Sequence, residues 1–253
     1  MSLTRAQNAL LRSLYTRHGR KKSGLCVVEG VRAVGELCSA APDAAEFFVC
    51  VPGVKPPLES PQIYGVSEAE FADISATVHG QGILAVARIP GEPDTAFAPQ
   101  DPYLLALDRV GDPGNFGTIC RTARASGLKE LWMTSGSVDP FGDKAIRSGL
   151  GSQFAMTIRT FAGLTALEKA AQNFGYGPVW LTDPHQGENL YRTPELYCKT
   201  VVVIGSEGAG VGELAGARRV TIPMPGNFES LNAAQAATVF LFEAVRRNET
   251  ASF

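Results

Sequence analysis

The sequence predicts an α/β protein in which a parallel sheet with helices on its faces is preceded by a smaller α/β unit. Three observations predict it. Short β-branched runs alternate with helical patterns along most of the chain, as repeated βα units do. A stretch from 90 to 102, dense in proline and turn formers, reads as a linker and divides the chain into 1–95 and 96–253. Finally Thr200, Val201, Val202, Val203 and Ile204 run straight into Gly205-Ser206-Glu207-Gly208-Ala209-Gly210. That is a buried parallel strand ending at the carboxyl edge, where open α/β sheets bind ligands.

In the first ninety residues, Ala6, Leu10, Leu11 and Leu14 form the stripe of an amphipathic helix over 4–15, capped by Ser2 or Thr4. A basic turn follows, His18-Gly19-Arg20-Lys21-Lys22. Strands are expected over 25–28, 47–51, 63–66 and 83–89. Helices are expected over 31–39 and from Ser67, where Glu68 and Glu70 suit a positive helix N-terminus. Pro52, Pro56 and Pro57 break the chain between the second and third strands.

Beyond the linker, strands over 103–107, 130–134, 155–160 and 179–182 alternate with helices over 115–126, 143–150 and 165–174. A short helix near Gly212 leads to a strand over 219–224 that proline 223, with no amide hydrogen to donate, brings to a stop. The loop Pro225-Gly226-Asn227-Phe228-Glu229 and then Ser230-Leu231-Asn232 introduce a last helix over 233–247. It is alanine-rich, free of Gly and Pro, and carries Arg246 and Arg247 where the macrodipole favours them. Only small side chains occupy its first two turns, so a ligand or another backbone can come very close.

The glycine loop lacks the Gly-Lys-Ser/Thr ending of a phosphate-binding loop and the glycine spacing of a dinucleotide fingerprint. Alone it is a tight turn after a strand. The order of three motifs says more. Gly205 to Gly210, then Ile222-Pro223-Met224, then Glu229-Ser230-Leu231-Asn232 before a small-residue helix resemble the last two motifs of the SpoU family, the TrmH-type branch of the SPOUT superfamily. The family's first motif is matched upstream by Asn115-Phe116-Gly117-Thr118-Ile119-Cys120-Arg121-Thr122-Ala123.

The resemblance implies an S-adenosylmethionine-dependent RNA ribose 2′-O-methyltransferase with a deep trefoil knot in its C-terminal domain and an active site built at a homodimer interface. Gly24 to Arg32 and Gln81 to Val86 look like the L30e-like substrate-binding domain that precedes many members. That extra domain favours ribosomal RNA over tRNA as the structured substrate. Within this resemblance Asn115, Arg121, Glu207, Ser230 and Asn232 are the catalytic candidates. Thr182, Gly205, Ile222, Met224 and Leu231 are the candidates for holding the cofactor.

The residues themselves bear on these roles. Asp112-Pro113-Gly114 is turn chemistry that places Asn115 as a helix N-cap. Arg121, one turn beyond Gly117, should project toward the loop at Asn115. The family's proposal gives this arginine a part in deprotonating the ribose hydroxyl. Arginine is a poor base, so holding a phosphate or stabilising the forming alkoxide stands beside it. Glu207 orients Asn115 or Arg121, or is a solvated loop carboxylate; one of Ser230 and Asn232 is explained by capping. Gln235 departs from the family's usual residue on the last helix.

Charge and cysteine usage complete the reading. Hydrophobic content of 45% with 19% charged residues allows a sizeable core and argues against disorder. Residues 1–36 hold seven basic side chains against two acidic ones in a chain of net charge −2. Such a patch meets phosphates or is an ordinary solvated helix. Arg20, Lys21, Lys22, Arg124 and Arg147 are the RNA-binding candidates, with Lys144 beside Arg147. Five cysteines without a CxxC pair disfavour zinc and disulfides, and no metal site is expected; they read as small buried hydrophobes. No histidine is assigned a role. No apolar run approaches the roughly 20 residues that span a bilayer, and with no signal peptide a cytoplasmic protein is expected. The competing readings are a tRNA methyltransferase, a non-catalytic RNA-binding or assembly factor that keeps the fold, and a small-molecule enzyme with a nucleotide site.

Overall fold

The computed structural model describes residues 2–59, 62–77, 80–93, 97–226 and 229–250, the side chains of 249 and 250 excepted. Asn227 and Phe228 of the loop before the last helix, and His79, lie outside the described residues. The first ninety residues form α1 (Arg5–Leu14), α2 (Arg17–Ser23), β1 (Leu25–Glu29), α3 (Val31–Ala40), β2 (Ala45–Cys50), β3 (Gln62–Gly65), α4 (Glu68–Ile74) and β4 (Ile83–Arg88). Then come β5 (Leu104–Asp108), α5 (Pro113–Ala125), β6 (Glu130–Thr134), α6 (Asp143–Gly149), β7 (Thr157–Phe161) and α7 (Leu164–Asn173). The chain ends with β8 (Val179–Thr182), β9 (Glu188–Asn189), β10 (Val201–Gly205), β11 (Arg218–Thr221) and α8 (Ala233–Thr250).

These elements fall into two compact units. The first comprises Met1–Gly91 together with Asp139–Ala155. Its sheet runs β1-β4-β2-β3, antiparallel except between β2 and β3. Alternation along β4 serves two cores: Ile83, Ala85 and Ala87 face α3 through Val34 and Leu37, whereas Leu84 and Val86 face Leu11, Leu14, Phe71 and Ile74. Thr4, not Ser2, caps α1 in a reciprocal capping box with Gln7. The expected basic turn is instead the helix α2. Thr16 accepts from the Gly19 amide at its start, and Gly24 ends it in the left-handed region at φ 69°.

The return of Asp139–Ala155 to this unit departs from the continuous division at 95. Ile146 and Phe154 complete the core beneath α3, and Gly151, at φ +77°, passes so close to α3 that a Cβ there would lie 2.9 Å from the Ala33 carbonyl oxygen. Burial of those side chains, rather than their place in a βα sequence, decides which core they join.

The second unit comprises Glu92–Val138 and Met156–Phe253. Among the described residues its sheet has the order β7-β6-β5-β10-β8-β11-β9, with every neighbouring pair parallel. β5 and Val201 to Ile204 of β10 are buried throughout, as strands covered on both faces must be. α5 packs against α8. Because β10 enters between β5 and β8, and β11 between β8 and β9, the loops leaving the carboxyl ends of these strands become neighbours.

One expectation fails in this unit. No helix forms near Gly212, because its amide is drawn to the Asp108 carboxylate at 2.8 Å and Arg219 holds Glu213 at 2.9 Å. At the end of the expected linker Asp101, 3% exposed, accepts from the Lys129 and Glu130 amides, and its carbonyl accepts from the Tyr176 hydroxyl at 2.6 Å. Burial raises the Asp101 pKa, with those two amides opposing. Cys26, Cys38, Cys50 and Cys120 are buried as expected, but Cys198 is exposed.

Candidate active site

The site grows from the carboxyl edge of the second sheet. β10 ends at Gly205, where the chain doubles back: the Gly210 amide donates to the Ser206 carbonyl at 2.9 Å, and Gly210 turns through φ +63°. Gly205 is packed so closely on the returning strand that a Cβ would lie 2.2 Å from the Gly210 carbonyl carbon and 2.3 Å from the Val211 nitrogen. Only glycine fits, and Glu207 is carried at the tip of the turn.

Asp112, rather than Asn115, caps α5; its Oδ1 accepts the Asn115 amide at 2.8 Å with Pro113 in the first helical turn. Asn115 is thereby released from capping, and its Nδ2 donates to Glu207 Oε1 at 2.9 Å. At the start of α8, Asn232 is the cap, its Oδ1 accepting from the Ala234 amide at 2.9 Å and the Gln235 amide at 3.3 Å. That fixes which end of its carboxamide is oxygen, so Nδ2 points the other way, to Asn115 Oδ1 at 3.0 Å and to Glu207 Oε1. Three of the five catalytic candidates, from three separate segments of the chain, form one hydrogen-bonded cluster.

Beside this cluster lies a cavity of about 310 Å³, large enough for a nucleoside-sized ligand. Thr182, Gly205, Ile222, Met224 and Leu231 all line it, as do Glu207 and Ser230. Ile204, Val211, Val220 and Phe240 add apolar wall, and Ala233 and Ala236 keep the α8 side shallow. The Thr182 hydroxyl donates to the Val203 carbonyl at 2.9 Å.

Sequence reasoning missed part of the rim. Asp183 and His185 line the cavity as well. Asp183 Oδ1 accepts from the His185 and Gln186 amides, and Oδ2 accepts from Arg219 at 2.8 Å. Burial works to raise the Asp183 pKa, but these hydrogen bonds outweigh it and hold the carboxyl below its usual range. The Asp-Pro step after β8 was the available signal.

Arg121 lies on the exposed face of α5, does not line the cavity, and has no hydrogen-bond or ion-pair partner among the described residues. Its expected projection toward the Asn115 loop produces no hydrogen bond or ion pair among the described residues. Arg124 is half-buried in the last turn of α5. In the first unit Lys21 and Lys22 are exposed, and Arg147 pairs with Asp143 at 2.8 Å. Arg20, by contrast, is turned inward. Its side chain is 7% exposed, and three of its five N–H donors are taken up inside the first unit, two by Asp139 Oδ2 at 2.9 and 2.6 Å and one by the Leu14 carbonyl at 2.8 Å.

Comparison with known proteins gives concordant results. Residues 102–242 match the SpoU rRNA Methylase family, and residues 9–85 match an MRM3-like substrate binding domain. The chain is 32% identical to an uncharacterized tRNA/rRNA methyltransferase from Synechocystis sp., over 99% of this chain and 96% of that one. It is 31% identical to the 23S rRNA (guanosine(2553)-2′-O)-methyltransferase RlmP of Bacillus subtilis, over 91% and 92% of the two chains. The solved structure of the SpoU methyltransferase AviRb from Streptomyces viridochromogenes, in complex with the cofactor AdoMet, superposes with a TM-score of 0.81. It is 25% identical and covers 97% of this chain and 99% of that one.

Proposed function

The chain belongs to the SpoU rRNA methylase family, and on that basis we propose that it methylates a ribose 2′-hydroxyl of ribosomal RNA at the Asn115–Glu207–Asn232 cluster. It is an enzyme of the S-adenosylmethionine-dependent RNA 2′-O-methyltransferase class. The carrying observation is that this cluster adjoins a cavity whose chemistry fits the cofactor. Apolar walls suit the adenine, the bare backbone at Gly205 allows close approach, and Glu207 sets a negative charge at the edge where a sulfonium would lie.

Gly205, Ile222, Met224 and Leu231, with Thr182, hold the adenosyl part. Bound there, S-adenosylmethionine supplies an electrophilic methyl group. Glu207 takes two N–H donors on one oxygen and acts as the positioning group for Asn115 rather than as a base. Asn115 and Ser230 orient the ribose. Arg121 holds the adjoining phosphate or the developing alkoxide, since a guanidinium presents a fixed fork to such oxygens.

The enzyme works as a homodimer, and Arg121 serves the cavity of the other subunit. Its exposure and its absence from the lining of the cavity in its own chain support this, as does Phe242, 47% exposed on α8, the helix that packs on α5. The trefoil knot, the L30e-like character of the first unit, the division near residue 95 and a cytoplasmic setting belong to the same reading. Among the described residues no helix is long and apolar enough to cross a membrane. Lys21, Lys22, Arg124 and Arg147 remain the basic side chains proposed to contact RNA.

The test is to incubate the full chain with methyl-labelled S-adenosylmethionine and ribosomal RNA from cells lacking the protein, then map ribose methylation. A single modified 2′-hydroxyl is expected. Cofactor binding without transfer to any RNA would favour the non-catalytic binding factor instead.

A further inference from the structure

Asp108 touches neither the cavity nor the catalytic cluster, yet it grips the two loops that build them. It ends β5 as the one charged residue after Leu104, Leu105, Ala106 and Leu107, and it is 3% exposed. A carboxylate in such a place is costly unless its lone pairs are filled. They are. Oδ1 accepts from the Thr134 hydroxyl at 2.7 Å; Oδ2 accepts from the Gly212 amide at 2.8 Å and from Arg109 at 3.0 and 3.2 Å. The Thr134 hydroxyl in turn accepts the Arg109 amide at 3.1 Å, where the backbone turns through φ 53°.

The loop after β10 is thus clamped at both ends by the same residue. Gly205, where the loop begins, is the ladder partner of Asp108, and Gly212, where it returns, donates to the Asp108 side chain. Glu207 lies between them. On the other side Asp108 ends β5, and the chain runs on through Val110, 1% exposed with its carbonyl accepting from the Val138 amide at 3.0 Å, to Asp112, which caps α5 and presents Asn115. The clamp is tight: a Cβ at Gly212 would stand 3.3 Å from Asp108 Oδ2 and 3.1 Å from Arg109 Nη2. We propose that Asp108 is a positioning residue for methyl transfer, setting the separation of Asn115 and Glu207 by holding the glycine loop against the end of β5.

The inference rests on the catalytic reading of the cluster, and a double-mutant cycle separates the two. Asp108→Ala is expected to lower kcat about 100-fold, the scale at which small misplacements act. Asp108→Asn, which keeps an oxygen for Gly212 and a polar partner for Thr134, should recover most of that loss. In a Glu207→Gln background, Asp108→Ala should cost less than about threefold more, because the geometry it protects no longer matters. Full additivity of the two losses would overturn the positioning role, since damage to the fold at large would multiply. Methyl transfer undiminished by Glu207→Gln alone would instead overturn the catalytic reading. Should Asp108→Ala fail to fold, Thr134→Val removes one donor to the carboxylate and runs through the same cycle: non-additive losses support the positioning role, and additive ones overturn it.

Discussion

Asn232 stands with its Nδ2 3.0 Å from the Oδ1 of Asn115, so one carboxamide sets the direction of another 117 residues away. The orientation is enforced from behind by the Ala234 and Gln235 amides. Asn232→Asp keeps an oxygen for both amides, and aspartate is as good a cap as asparagine. It replaces an N–H donor to Glu207 with a second carboxylate. The thermal midpoint should stay near that of the parent while single-turnover methyl transfer falls about 100-fold. Equal loss of stability and activity would mean that Asn232 is only a cap.

If Arg121 acts across subunits, two inactive variants should complement. In a mixture of Arg121→Ala and Glu207→Gln chains, half the dimers are mixed, and each mixed dimer keeps one cavity with its own Glu207 and an intact arginine from the other chain. About a quarter of parental activity should return after mixing and subunit exchange. Action of Arg121 within its own chain predicts none, because every cavity then lacks one group.

Gly205→Ala probes the close approach at the cavity floor. The new methyl would meet backbone atoms of Gly210 and Val211, which cannot rotate away. Overpacking of this kind costs about 1–3 kcal/mol. The loop is expected to move outward, and calorimetric titration with S-adenosylmethionine should show binding weakened by about tenfold or more. Unchanged affinity would place the adenosyl part elsewhere.

The elements that were legible in the sequence are those specified locally. β10 announced itself by three consecutive valines, α4 by Ser67 with Glu70, and the residues around the cavity by the order of short glycine- and asparagine-bearing motifs. Contacts over long separations were not legible. Arg20 and Lys21 are adjacent and alike in sequence, yet a partner 119 residues away buries the first and leaves the second in water. Helix α2 has no apolar stripe to betray it; Thr16 and Gly24 at its ends make it a helix. Asp108 falls one residue past the strand expected over 103–107, and its importance depends on where Gly212 returns.

That contrast between neighbours can be measured. Arg20→Met leaves Asp139 without its cation, and breaking a largely buried pair costs about 3 kcal/mol. It should lower the unfolding midpoint while leaving the salt dependence of RNA binding unchanged. Lys21→Ala with Lys22→Ala should do the reverse, reducing the slope of log affinity against log salt by about 1 for each phosphate no longer neutralised. An RNA-binding defect in Arg20→Met with normal stability would show that it is a ligand.

The last helix carries an acid-sensitive fastening. Glu243 accepts from Arg246 at 2.8 Å on both oxygens and from Arg247 at 2.8 Å, and Arg247 continues to the Thr193 carbonyl at 2.6 Å. Hydrogen bonding from Arg246, then from Arg247, overcomes the effect of burial and pulls the Glu243 pKa down from 4.5 to about 2. A carboxyl with a depressed folded-state pKa contributes stability that is present above 4.5 and lost as pH falls toward 2. With Arg246 exposed and screened, that contribution is about 2 kcal/mol. Urea unfolding of the parent and Glu243→Gln should therefore differ at pH 7, with the parent more stable, and the difference should shrink as the pH is lowered through 4 and 3. A gap that persists unchanged at about pH 2 would show that the side chain stabilises α8 by packing and not by its charge.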